Sequence, residues 1–273
     1  MYRRKPAVAG SFYPSNPEKL GKMIDAYLQD AKAAPVKGGV VGLVSPHAGY
    51  IYSGPVAAVS FVQLLGSGVT LAIILAPPHR ARFNGASVLP EGIYETPLGD
   101  VPIDGGIGAV LRQARYFGAI KEAHEMEHSL EVQVPFLQKV LVELSIVPVI
   151  VGSTDIAVCG KVAEGIRDAL AGEARKFVVV ISTDLSHYYS YGAAQAMDNR
   201  FIEALKSFDA QEVKSVIDSG AAEACGEGPV LAGMILCKML GATKTEILKY
   251  ANSGDTAGGR DQVVGYLSAA LVK

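Results

Sequence analysis

Apolar residues along the chain fall into two patterns. Four short runs are continuous: Val40 to Val44, Leu71 to Leu75, Ile146 to Val151 and Phe177 to Ile181. They lack the alternation of a half-exposed strand and predict strands covered on both faces. Between them, apolar residues recur at helical spacing, as Leu20, Met23, Ile24 and Leu28 do within Pro17 to Ala31. Further helices are expected over Pro55 to Leu65, with proline in its first turn, and over Ile107 to Ala114, Glu131 to Leu144, Ile156 to Leu170, Ala193 to Lys206 and Pro229 to Leu240. Thr245 to Tyr250 and Val263 to Ala269 close the chain as strands, and Ala31 to Gly39 is a connector. Helices alternating with buried strands predict an α/β fold: three layers, with a mostly parallel central sheet covered by helices on both faces. No repeat, low-complexity tract or linker divides the chain, so one domain over residues 1–273 is expected.

Composition narrows the function classes. Of 273 residues, 49% are hydrophobic and 19% charged, which suits a large buried core. Lys+Arg number 25 against 27 Asp+Glu, for a net charge of -2. That balance offers no footprint for nucleic acid or an anionic membrane. The opening MYRRKPAVAGSFYP lacks the apolar stretch of a secretory signal, and no apolar run is long enough to span a bilayer. Cys159, Cys225 and Cys237 are too few, and odd in number, for a disulfide framework. A cytoplasmic protein is expected.

The chemistry concentrates at strand ends. His47 ends VVGLVSPH, His79 ends LAIILAPPH and His187 ends FVVVISTDLSH. In open α/β sheets ligands sit outside the carboxyl ends of the strands. If the three strands are parallel neighbours, the three imidazoles share one rim. Any one of them alone is explained as a hydrogen-bonded loop histidine; the coincidence of three favours a site. The prolines before His47 and His79 stiffen the backbone there, and also end the strands.

Cys225, in EACGEGPV, precedes a helix, where a thiolate is favoured and metal binding follows; its plainer role is a small buried thiol, the expected fate of Cys159 and Cys237. EMEHSLEVQVPF sets His128 three residues before Glu131, so both can share a helix face, although acids at a helix start need no further explanation. His124 is expected in a solvated loop. Asp184 precedes His187 by three residues and can orient its imidazole, or cap a turn. No GxGxxG opens a helix after the first strand; GxxxxGK[ST], the G-x-S-x-G elbow and CxxC are absent.

The chain resembles the Memo family, also found as protein B of the AmmeMemoRadiSam gene sets, through RKPAVAGSFYP, SPHAGYIYSG, LAPPHR, YETPLGDVPID, EHSLEVQVPFL, STDLSHY, CGEGP, NSGDTAG and VVGYLSAAL. That family is similar in fold to the LigB-like class III extradiol dioxygenases. The resemblance implies one bound transition-metal ion, Fe(II) foremost with copper or zinc as alternatives, held by His47, His79 and Cys225. It implies an acid–base role for His187, with Asp184 and His128 lining the pocket. The implied function is extradiol-type cleavage of a small catechol-like aromatic. The alternative is a non-catalytic iron- or copper-binding or phosphopeptide-binding signalling module. A thiolate where the dioxygenases place a carboxylate is softer and favours Cu(I) or zinc.

Overall fold

A computed structural model describes residues 2–31 and 35–273, so part of the 31–39 connector lies outside the described residues. Its strands are β1 (Arg3–Arg4), β2 (Val40–Ser45), β3 (Leu71–Ala76), β4 (Ala86–Val88), β5 (Gly92–Thr96), β6 (Gly99–Ile103), β7 (Phe117–Gly118), β8 (Ser145–Val151), β9 (Phe177–Ser182), β10 (His187–Tyr189), β11 (Lys244–Asn252) and β12 (Val263–Val272). They join in the order β1-β5-β6-β8-β3-β9-β2-β12-β10, with β11 on β12, β4 on β8 and β7 on β4. The centre, β8-β3-β9-β2, is parallel. Antiparallel pairs flank it: β12 against β2 and β11, and β5 against β6.

The four continuous runs are the four central strands, and their side chains alternate between two cores. Leu71, Ile73 and Leu75 face one side, packed with helices Ile156–Ala169, Tyr191–Lys206 and Glu227–Met239. Ala72, Ile74 and Ala76 face the other, packed with helices Pro17–Asp30, Tyr50–Phe61 and Val134–Val140. Burial on both faces removes any need for polar alternation. Two glycines set how closely the Glu227–Met239 helix seats. A Cβ on Gly233 would lie 2.4 Å from Ile181 Cδ1, and one on Gly42 2.5 Å from Cys237 Sγ.

The element boundaries differ from expectation in places. The helix expected at Pro55 begins at Tyr50, so Pro55 sits inside it. Its start is fixed from outside, because Tyr50 N–H donates to the Phe12 carbonyl (2.7 Å). The bond that Pro55 cannot make would go to Ile51, a residue 53% exposed and within reach of water. The helix expected over Glu131 to Leu144 is two pieces, His128–Glu131 and Val134–Val140. Gln133, between them, is buried and donates to the Pro46 carbonyl and Ser182 Oγ. The β5–β6 hairpin, β4, and helix Ala210–Asp218 were not expected from the pattern.

Candidate metal centre

Adjacent parallel strands bring the histidines to one edge. Val44 and Leu75 both pair with Ile181, so β2, β9 and β3 end level. His47 follows β2, His79 follows β3, and His187 opens β10 beyond the end of β9. A fourth histidine joins them from the first residue of helix His128–Glu131. The ring centroids of His47 and His79 are 5.2 Å apart, of His47 and His128 5.6 Å, and of His79 and His128 4.5 Å. One ligand atom from each of these three lies within 4.8 Å of the others, a group able to hold a metal ion.

Hydrogen bonds orient two of the rings for ligation. Ser182 Oγ gives its single hydrogen to the Ser129 carbonyl (2.7 Å), so it accepts from His47 Nδ1 (2.8 Å). His47 Nε2 therefore carries the lone pair. Glu127 does the same for His79: its Oε1 accepts from Nδ1 (2.8 Å), and its Oε2 from the His79 backbone N–H (2.5 Å). Carboxylate and hydroxyl partners of this kind fix ligand tautomer and ring direction. Burial alone would raise the Glu127 carboxyl, but the hydrogen bonds and charge of His79, with the Ser129 N–H, bring it down to about 2. Burial, then the neighbouring His79, lowers His128 to about 4. Burial, then the other histidines, holds His47 well below the ordinary range. His47 and His128 are thus neutral at neutral pH, the form that binds metal.

Cys225 lies beside His47, with Sγ 3.1 Å from Nε2, and accepts from the Asp184 N–H (3.2 Å). A favoured thiolate was expected at this helix start. Instead burial, and then Asp184, push the thiol up. The Gly226 N–H, ahead of helix Glu227–Met239, is taken by Thr183 Oγ1 (3.0 Å), not by the sulfur. The thiol donates to His47 Nε2, and a metal ion would displace that proton.

Asp184 does not orient His187. Its Oδ1 accepts from the His47 backbone N–H (2.7 Å), holding the Pro46–Ala48 turn, and burial raises its carboxyl to about 7. His187 gives Nδ1–H to the Leu185 carbonyl (2.8 Å), leaving Nε2 free, and faces the cluster closely enough to oppose charge on His47. Burial lowers His187 as well. Its neighbour Tyr188 is 69% exposed and held at φ 65°, a strained setting for a bulky residue. His124 is not solvated: it is 2% exposed, with Nε2 3.1 Å from Ser87 Oγ. Glu131 faces away from the cluster toward Arg4.

Glu127, Ser182 and Phe12, whose ring lies 4.8 Å from His128, were not singled out from sequence. The one local signal was Glu127 two residues before Ser129, whose N–H it caps (2.9 Å).

These features define a three-layer α/β protein with an imidazole-rich, metal-capable centre at the carboxyl edge of its sheet. The chain belongs to the Memo family: the profile of Memo-like proteins matches residues 4–270. Among its relatives, a MEMO1 family protein of Methanothermobacter thermautotrophicus is 37% identical over 271 residues, covering 96% of this chain and 98% of the relative. MEMO1 family proteins of Methanopyrus kandleri and Thermotoga sp. are each 38% identical, covering 98% of this chain and 98% and 99% of theirs. No helix among the described residues is long and apolar enough to cross a membrane.

Proposed function

We propose that the protein is a mononuclear non-haem iron enzyme of the extradiol type, opening the ring of a small catechol-like aromatic. The observation that supports this best is the pair of histidines, His47 and His79, whose Nδ1–H groups are tied down and whose Nε2 atoms face one space. His128 or Cys225 supplies the third ligand. Bound Fe(II) with open positions supplies the means to bring catecholate and dioxygen together. His187, with Nε2 free beside the cluster, receives a hydroxyl proton from the substrate and returns it to the product. Phe12, its ring 4.8 Å from that of His128, supplies an apolar face beside the cluster.

The test is anaerobic purification with elemental analysis, then loading with Fe(II) and exposure to oxygen with a panel of catechols. Ring-opened, yellow product with matching oxygen uptake, lost in His187→Ala while iron stays bound, is the expected result. Stoichiometric iron without turnover of any catechol would overturn the enzymatic reading. The thiol of Cys225 favours a second reading, a non-catalytic holder of iron or copper, or a peptide-binding module, in which metal binds tightly and no ring opens.

A further inference from the structure

Next to the histidine cluster, on the far side of Cys225, is a cavity of about 350 Å³. It lies at the low end of ligand-pocket sizes, about 300–1,000 Å³. Pro77, Pro78, Phe83 and Pro229 give it stiff, flat, apolar walls, and Cys225 forms the wall toward the centre. Arg82 is the one charged residue among the described residues that line it. It is exposed, and makes no hydrogen bond or ion pair among the described residues. Arg3, Arg4, Arg167 and Arg175, by contrast, are held in ion pairs. A guanidinium left free over a small, largely apolar slot that shares its Cys225 wall with a metal-capable centre is a recognition element for an anion on a flat body.

We propose that this cavity is a specificity subsite for a ring-borne carboxylate, so that the ligand is an aromatic acid and not a neutral catechol. The ring lies between Phe83 and the prolines, its carboxylate meets the Arg82 fork, and its opposite edge points past Cys225 toward His47. One guanidinium matches the single charge of a carboxylate. The inference rests on the proposed function for the ring's hydroxyl chemistry, but its test reads binding alone.

The chelator-treated full-length protein is titrated with benzoate and with benzamide, which differ in charge and hardly in shape. Benzoate is expected to bind about tenfold more tightly, a modest preference because the guanidinium is solvated. Arg82→Gln should abolish the preference. Arg80→Gln, which removes the same charge from an exposed residue two positions away and outside the cavity wall, should keep it. Equal binding of the two ligands, or a preference that survives Arg82→Gln, overturns the proposal; tighter binding of phenylphosphonate than of benzoate overturns the carboxylate assignment. If benzoate binds through Arg82 and no catechol is opened, the subsite stands and the dioxygenase reading fails. If neutral catechols are opened and benzoate shows no Arg82-dependent binding, the reverse holds.

Discussion

Two polar clusters flank the segment from His124 to Glu131, and they are built on opposite terms. At one end Glu131, wholly buried, accepts from the Arg4 guanidinium, the Tyr13 hydroxyl and the backbone N–H groups of Ala7 (2.8 Å) and Val8 (3.1 Å). Arg4 also donates to the carbonyls of His124 (3.1 Å) and Glu127 (2.6 Å) and lies over the Tyr94 ring. Every partner comes from within the chain. At the other end the Nδ1 edges of His47 and His79 are held, while the Nε2 edge of His47 meets only the Cys225 thiol and that of His79 has no partner among the described residues. Full satisfaction marks a cluster whose task is structural, here to tie the N-terminal segment to the body. Converging ring edges that meet no partner, or only a thiol that a metal can displace, mark one made to take a ligand.

The contrast breaks most visibly at Glu131. Glu131→Ala leaves a buried guanidinium and several N–H and O–H donors unpaired, and should lower unfolding free energy by about 3–5 kcal/mol. Denaturant unfolding checks this, and a loss below about 1 kcal/mol would refute the structural assignment. His47→Ala should behave differently. In the absence of metal its stability should change far less, whereas metal at a hundredfold its Kd should stabilise the natural chain by about 2.7 kcal/mol and the variant hardly at all.

His124, packed between the clusters, gives the next effect. Burial, with the Arg4 charge, depresses it to about 3 against the pull of Glu127 and Ser87. The unfolded chain therefore takes up a proton that the folded one refuses. The stabilisation is complete above about pH 6.5 and is lost as pH falls toward 3, at about 1.4 kcal/mol per unit. Between pH 6.5 and 5 the natural chain should lose about 2 kcal/mol more than His124→Asn does. Parallel melting profiles of the two proteins would count against a neutral buried imidazole.

The smallest effect sharpens the ligand question. Glu127→Gln weakens the acceptor behind His79 and should reduce metal affinity about tenfold. Comparing metal content in His128→Ala and Cys225→Ser then decides the third ligand: the true one loses metal, and the other retains it.

Much of this arrangement could be read before any coordinates. The buried strands, the level rim and the places of His47 and His79 follow from continuous apolar runs ending in Pro-His, a signal confined to a few adjacent residues. What escaped was whatever depends on distant chain segments. Glu127 looks like an ordinary acid at a helix start until the loop after β3 delivers His79 to it. His124 looks exposed among charged neighbours until Ser87 and Arg4 close over it. The β5–β6 hairpin alternates in burial, but its Pro97-Leu98-Gly99 turn and the Pro102 inside β6 disguise it as a loop. Pro55 misplaced a helix start because the anchor for that start is the carbonyl of Phe12, some forty residues earlier.

The tight seat of helix Glu227–Met239 carries a consequence for reach. Cys225 stands two residues before that helix, so the spacing between helix and sheet also sets how near its sulfur comes to His47. Gly233 and Gly42 act as the gauge blocks of this gap. A single methyl group at position 233 would have to displace Ile181 or raise the helix, and raising it draws the sulfur away from the imidazole. The alignment of a donor atom is thus fixed by hydrogen atoms standing where side chains would be, well inside the core and far from anything that looks like chemistry.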